Sequence, residues 1–532
     1  MRIALVAAPY PLEEAPSPPL GLCYVAAACE STGADVTILD YIVRKYTPEK
    51  LARELDSFRP DVVGTSSVTM NFFAAADILR TAKRYNPALI TMMGGPHVSF
   101  DVENTLRQYP EIDLIVIGEG EETLQELIPV IKDRNAWKDV KGIAFHEDDR
   151  IVFTGERELI QDLDTLPLPA RHLLPMSRYQ ALGYPVSIIT SRGCPNKCIF
   201  CQGRRMVGYK VRHRSHELVV DEIEDVLSYG WNRINVADDI FTANKKRVVS
   251  FCDELKKRNL SFTWSAFARV NTVDLEMLRC MREAGCDAVS FGIESGNVEM
   301  LKRIRKGITL DQARKAVQYC KEVGMLAHAS FMVGLPGESH ETMNDSRTFA
   351  EELDILYGYH MLAPLPGTTV RDEVEKYDLE ILTNDWNLYD ANRAIVRTSH
   401  LTPEEMNTFV DAYAETHRVK WREAEERYRN DNCTPEEYLT IEGFYKTQLI
   451  FHLLSEDVVE ELDPIPLSNG DPVRELSARI AELATNIDRG VIDRSLAHLV
   501  TAGYLKHSDE AGAAHWYWTY NNRSDRSPVP YS

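Results

Sequence analysis

Short apolar runs alternate with amphipathic stretches through the first 140 residues. Ile3–Ala7, Asp35–Leu39, Val62–Ser66, Leu89–Met93 and Leu114–Ile117 have the length and branching of buried strands. Between and after them the apolar spacing becomes that of helices beginning near Gly21, Pro48, Phe72, Val102 and Glu121. This alternation predicts a doubly wound α/β domain over residues 1–140. Two glycine-bearing turns, Gly94-Gly95-Pro96-His97 and Gly118-Glu119-Gly120, follow strands at their carboxyl ends, where such sheets bind ligands.

Residues 141–180 read as a linker, with a small hairpin over 142–153 and the extended Leu166-Pro167-Leu168-Pro169. A second βα series has strands at Val186–Thr190, Ile234–Ala237, Phe262–Ala266, Ala288–Gly292, Ala327–Val333 and Tyr359–Leu362. Six such units predict a partial (β/α)6 TIM-type barrel over 181–385. Beyond it the alternation stops, and 386–532 reads as mostly helical, with the charged Pro403–Arg429 a solvated face. Residues 472–520 are spaced as helix, turn, helix (Val491–Ala502) and wing (Tyr504–Tyr520, turning at Ala511-Gly512), a candidate winged helix.

A length of 532 residues requires several domains, and 44% hydrophobic with 27% charged residues is a globular composition. With no apolar run near the roughly 20 residues of a membrane span, and a first strand where a signal peptide would stand, a cytoplasmic protein is expected. The net charge of −21 argues against nucleic acid as the partner. Seven of the ten cysteines (Cys23, Cys29, Cys252, Cys280, Cys286, Cys320, Cys433) are scattered singly, and most of them read as buried small hydrophobes.

The other three form the strongest chemical signal, Ser191-Arg192-Gly193-Cys194-Pro195-Asn196-Lys197-Cys198-Ile199-Phe200-Cys201, directly after a strand. Three thiolates on one loop leave the fourth iron of a cubane without a protein ligand, open to the amino and carboxylate groups of S-adenosylmethionine. A structural zinc site is the competing reading. It wants a fourth ligand, for which His213 is available, and usually a second cysteine pair, which the chain lacks.

With Phe200 before the last cysteine, this motif resembles that of the radical S-adenosylmethionine (SAM) superfamily over residues 180–370. The resemblance implies a [4Fe–4S] cluster on Cys194, Cys198 and Cys201, with SAM as cofactor. It also implies an ammonium-binding role for Asp238 or Asp239 in Val236-Ala237-Asp238-Asp239-Ile240-Phe241, and a ribose or carboxylate role for Glu294 and Ser295 in Ser290–Gly296. Gly334 in Phe331–Glu338 would pack against adenine, and Leu365 or its neighbours would line the substrate mouth. The front domain resembles the Rossmann- or flavodoxin-like cobalamin-binding domain of one branch, which includes class B methylases and the anaerobic magnesium-protoporphyrin cyclase. Pro18–Leu22, Gly94–His97 and Gly118–Glu121 carry that resemblance. Thr65, Ser66, Gly94, Gly95, His97, Gly118 and Glu119 are then candidates for cobalamin binding. The Asp-x-His-x-x-Gly motif of histidine-ligated cobalt is missing, and His97, the alternative ligand, reads better as structural.

The resemblance implies methylation of an unactivated carbon, one SAM supplying the methyl through cobalamin and another a 5′-deoxyadenosyl radical. The partners are a small-molecule or peptide substrate and an external electron donor such as flavodoxin or ferredoxin. Radical cyclisation, rearrangement and carbon–carbon bond formation are alternatives within the branch, as is a front domain that has lost its cofactor. A methylthiotransferase would need a second cysteine triad. An iron–sulfur sensor with a DNA-reading winged helix would need a more basic second helix than Ile492–His498.

Overall fold

The computed structural model of the chain describes residues 1–467, 470–510 and 512–520. The first series forms β1 (Arg2–Ala7), β2 (Asp35–Asp40), β3 (Val62–Ser66), β4 (Ile90–Gly94) and β5 (Leu114–Val116), all parallel. Helices Leu20–Glu30, Pro48–Phe58, Phe72–Tyr85, Val102–Gln108 and Glu121–Leu127 follow their strands in turn. Five consecutive buried residues in β1 explain why the strands read as unbroken apolar runs: helices cover both faces.

The hairpin expected in the linker belongs to this sheet. β6 (Ile143–Glu147) pairs antiparallel with β5, and β7 (Arg150–Phe153) with β6, giving the order β2-β1-β3-β4-β5-β6-β7. Ile143, Ala144 and Phe145 are all buried, which a free connector would not achieve, and they cover an edge β5 would otherwise expose.

The second sheet begins at β8 (Val186–Ile188), followed by a short ladder of β9 (Ser191–Arg192) with β10 (Arg212–His213). Then come β11 (Arg233–Val236), β12 (Thr263–Ala268), β13 (Cys286–Glu294), β14 (Leu326–Val333) and β15 (Leu356–Met361). β8 and β11–β15 form one parallel sheet in the order β15-β14-β13-β12-β11-β8, with helices between the strands. Here one face alone is fully packed. Trp264, Ala266 and Ala268 of β12 are buried while Thr263 and Phe267 are exposed, the alternation of a strand lining an open barrel.

β16 (Glu380–Ile381) pairs antiparallel with β17 (Val396–Arg397), and two long helices follow, Pro403–Arg429 and Pro435–Ser455. After β18 (Ile465–Pro466) come helices Pro472–Leu483 and Arg489–Thr501, then β19 (Leu505–Glu510) and β20 (Ala513–Trp518) in a sheet ordered β18-β20-β19. Ala511, half of the expected wing turn, lies outside the described residues. Among the described residues no helix is long and apolar enough to cross a membrane.

Buried charge joins the units. Glu222, fully buried on the helix after β10, takes Arg171 at 2.6 Å and Arg214, while Tyr24 of the front domain accepts from Arg214 at 3.1 Å. Although burial opposes ionisation, these two guanidinium groups hold the Glu222 carboxyl below its ordinary range. At the other end, Asp457 pairs with Lys50 at 2.5 Å and Arg178 at 3.6 Å, tying the C-terminal region to the front domain.

Candidate active site

The cysteine loop starts from β9 at Gly193, whose φ of +112° and neighbours exclude any side chain: a Cβ would fall 2.3 Å from the Lys210 carbonyl oxygen. Backbone bonds fix the curl. Cys194 N–H donates to Gly208, Ile199 N–H to Ile304, and Ile199 accepts from Val370, all at 2.9–3.1 Å. Asn196 Nδ2 donates to Cys194 Sγ at 3.3 Å, and Arg269 Nη1 lies 3.8 Å from Cys198 Sγ. The surface of Cys201 opens to solvent, yet surrounding atoms desolvate its thiol and push it up; Gly203 N–H pulls it down, and the Cys198 and Cys194 sulfurs add to the rise. This donor set suits a cubane: Cys194, Cys198 and Cys201 would hold it through their thiolates, with hydrogen-bond donors beside the sulfurs. Phe200 is half-buried against the core, with the Lys306 ammonium 5.7 Å from its ring centroid.

The two candidate aspartates separate clearly. Asp238 is buried and its carboxylate is taken by Thr190 and Ser191, through both backbone N–H groups and both hydroxyls, at 2.5–3.2 Å. It braces the base of the loop and has no capacity left for an ammonium. Asp239 is exposed, accepts from Gly193 N–H at 3.0 Å, and its Oδ1 stands 2.9 Å from where a Gly203 Cβ would sit.

Glu294 ends β13 with φ +72° and pairs with Lys306 at 2.7 Å. A Cβ at Gly292 would strike both members of that pair, so the glycine lets them lie flat along the strand. Ser295 is fully buried and bonds Ser346 at 3.2 Å and Asn297 N–H at 3.1 Å, so it fastens the helix His340–Leu353. At Gly334 (φ +89°) a Cβ would meet Val396 at 3.0 Å and Met406 at 3.4 Å, so the close approach there is by the C-terminal region. Sequence reasoning left Arg269, Lys306 and Glu338 without roles. Glu338 accepts from Gly334 N–H at 2.6 Å and Leu335 N–H at 3.3 Å, its Oε1 has no partner, and burial pushes its carboxyl up to about 8.

At the carboxyl ends of the front strands lies a cavity of about 240 Å³, lined by Gly21, Gly64, Thr65, Ser66, Gly94, Gly95 and Gly118 from the front domain and by Arg192, Met206 and Val207 from the cysteine-loop region. A Cβ at Gly21 or Gly118 would meet no atom, so the missing side chains leave room there for a ligand. Thr65 Oγ1 is turned back to the Val6 carbonyl at 2.9 Å, and apolar and backbone groups share the wall with Ser66, Glu119, Glu121 and Arg192. This slot fits the tail of a corrinoid.

Two front-domain candidates have packing partners of their own, His97 in keeping with its structural reading. His97 is fully buried outside that cavity, stacked on Phe72 at 4.2 Å with Nδ1 at 3.2 Å from Thr69 Oγ1. Burial and the nearby Arg371 lower it to about 4, and its ring is not among the groups lining the slot. Glu119 touches the cavity, but its carboxylate is held by Arg212 at 2.7 and 2.8 Å, Arg192 at 3.2 Å and Ile160 N–H at 2.9 Å. It locks the front domain to the barrel.

Two family patterns match, the B12 binding domain over residues 14–128 and the radical SAM superfamily over residues 188–350. An uncharacterized methyltransferase of Pyrococcus horikoshii is 36% identical over 393 residues, covering 73% of this chain and 85% of its own. The chain belongs to the cobalamin-dependent radical SAM methyltransferase family. The cofactors of this family are a [4Fe–4S] cluster, SAM and cobalamin, and a radical SAM enzyme draws its electron from an external reductant. The radical SAM match contains the three cysteines, both aspartates and Glu338; the B12 match contains the glycines of the slot. The anaerobic magnesium-protoporphyrin IX monomethyl ester cyclase of Cereibacter sphaeroides is 32% identical, the alignment covering 68% of this chain and 61% of the cyclase. The fold is also that of the cobalamin-dependent SAM radical enzyme OxsB: TM-score 0.68 at 19% identity, over 94% of this chain and 79% of that one.

Proposed function

We propose that the protein methylates an unactivated carbon of a small-molecule or peptide substrate in the barrel, as a reductant-driven cytoplasmic enzyme. One observation carries the reading: Arg192, Met206 and Val207 line the front-domain slot together with its glycines, so the corrinoid-type site lies directly against the cysteine-loop region. When bound, the cluster with SAM supplies a 5′-deoxyadenosyl radical and cobalamin supplies a methyl group. The chain's own residues position these groups. Cys194, Cys198 and Cys201 hold iron, while Asp238 keeps the loop base rigid through Thr190 and Ser191. Exposed Asp239 receives the methionine ammonium, and Lys306 with Glu294 presents a charge and an acceptor at the end of β13. Arg192, Arg212 and Glu119 keep the two sites facing each other, the alignment a methyl transfer between them demands.

The test is anaerobic reconstitution with iron, sulfide and cobalamin, followed by assay of 5′-deoxyadenosine in the wild type and Cys198→Ala. A wild type that assembles no cluster and cleaves no SAM ends the enzyme reading. One that cleaves SAM but binds no cobalamin ends the methylation reading alone. The similarity to the cyclase favours a second reading, oxidative ring closure, separable by product mass: methylation adds one CH2 unit and ring closure removes hydrogen.

A further inference from the structure

We infer that the outer face of the cysteine loop is a docking site for a small acidic flavoprotein that delivers the electron, with Lys197, Lys210 and Arg305 as its contacts. The inference rests on the radical SAM reading and adds the surface through which the reductant acts. Acidic residues outnumber basic ones 81 to 60 in this chain, so a local excess of cations needs a reason. Lys197 stands between Cys194 and Cys198 and is exposed. Lys210 is exposed, and its carbonyl oxygen lies against Gly193 at the start of the loop. Arg305 is exposed and follows Ile304, whose carbonyl accepts the Ile199 N–H from within the loop. Each of the three thus stands on the cysteine loop or beside a residue in backbone contact with it.

Their neighbours do not cancel them. Glu299 is paired with Lys302 and Asp372 with Arg205, while Arg204 lies over the Tyr209 ring, 5.9 Å from its centroid, and Tyr209 itself is 69% exposed. Among the described residues, two exposed acids also border the loop: Glu158, one residue from the Leu159 that packs on Gly208, and Asp239, which accepts from Gly193 N–H and faces Gly203. Electron transfer falls steeply with distance, so a donor must sit over the loop that holds the metal. A cationic rim on an acidic protein recruits an anionic partner there and turns it away elsewhere. The step is one electron: flavin hydroquinone becomes semiquinone as [4Fe–4S]2+ becomes [4Fe–4S]+.

The test uses the reconstituted chain and a photoreduced acidic flavodoxin, with cluster bleaching followed by stopped flow at about 10 mM and 500 mM salt. Lys197→Glu/Lys210→Glu is compared with Lys315→Glu/Lys420→Glu, exposed cations away from the loop that give the same net charge. The loop variant is expected to lose at least about tenfold in second-order rate at low salt, with the difference collapsing at high salt; the control pair should change less than about twofold. Flavodoxin Kd, measured by fluorescence anisotropy, should weaken in parallel. Arg305→Glu, outside the cysteine loop, provides the same comparison if the double variant assembles poorly. Equal slowing in both pairs, or none in either, overturns the inference. Dithionite separates the two levels: a wild type it cannot reduce fails the family chemistry, whereas a loop variant it reduces fully and flavodoxin reduces at the wild-type rate fails the docking surface alone.

Discussion

Replacing Glu119 with alanine should loosen the joint between the front domain and the barrel. The carboxylate makes four bonds to three partners across that joint: two to Arg212 at 2.7 and 2.8 Å, one to Arg192 at 3.2 Å and one from Ile160 N–H. Breaking one side of a buried ion pair typically costs about 3–5 kcal/mol, because the remaining charge is stranded. Here Arg192 keeps Glu121 at 2.5 Å, and Arg212 keeps the carbonyls of Val207 and Ile160, so the lower end, about 3 kcal/mol, applies. In a multidomain chain this is best read as a thermal transition of the front unit falling by roughly 6–12 °C in calorimetry. Glu119→Gln, which keeps an acceptor for Ile160, should fall less. Burial raises the Glu119 carboxyl, but the two arginines outweigh it and set the folded value below 4.5. The stabilisation is therefore complete above pH 4.5 and is lost as pH falls through the lower folded value, so wild type and Glu119→Gln should converge in acid. A Glu119→Ala transition within about 1 °C of wild type at pH 7, or a gap that widens in acid, would refute the reasoning.

Gly193→Ala should fold, by circular dichroism, but bind much less iron, since its Cβ would collide with the Lys210 carbonyl; a full complement of four irons would contradict this. Asp238→Asn should lower the melting temperature, whereas Asp239→Asn should leave it unchanged and weaken SAM binding about tenfold by equilibrium dialysis, the value of roughly one charge-assisted bond. His97→Phe should bind cobalamin with an unaltered visible spectrum. With a folded value near 4 against 6.5 unfolded, neutral His97 contributes stability that is complete above pH 6.5 and lost as pH falls toward 4; denaturant titrations of the phenylalanine variant should lack about 3 kcal/mol of that loss.

Most strands were legible because burial on both faces in the front sheet, and alternation in the barrel, leave periodic traces in the chain. The membership of the 143–153 hairpin in the front sheet was not, since pairing with β5 is a long-range fact with no local signature. The cysteines were legible because their spacing is itself the chemistry. Glu119, Asp238 and Ser295 were harder: a polar residue at a strand end serves a ligand or a neighbouring unit according to which atoms lie opposite, and Arg212, Thr190 and Ser346 are far away in sequence. Arg269 lacked a local signal because its neighbour Cys198 is far away in sequence, while Lys306 stands in a loop that resembles the family's but had no role until its pairing with Glu294 was seen.

The hairpin also dictates how the protein can be dissected. A fragment cut where the B12 match stops, at residue 128, would bare the all-apolar, fully buried Leu114–Val116 as a sticky rim, inviting strand-by-strand aggregation. Carried on to Phe153, the same fragment ends in a four-residue strand with an exposed Arg150, a blunt margin suited to solubility.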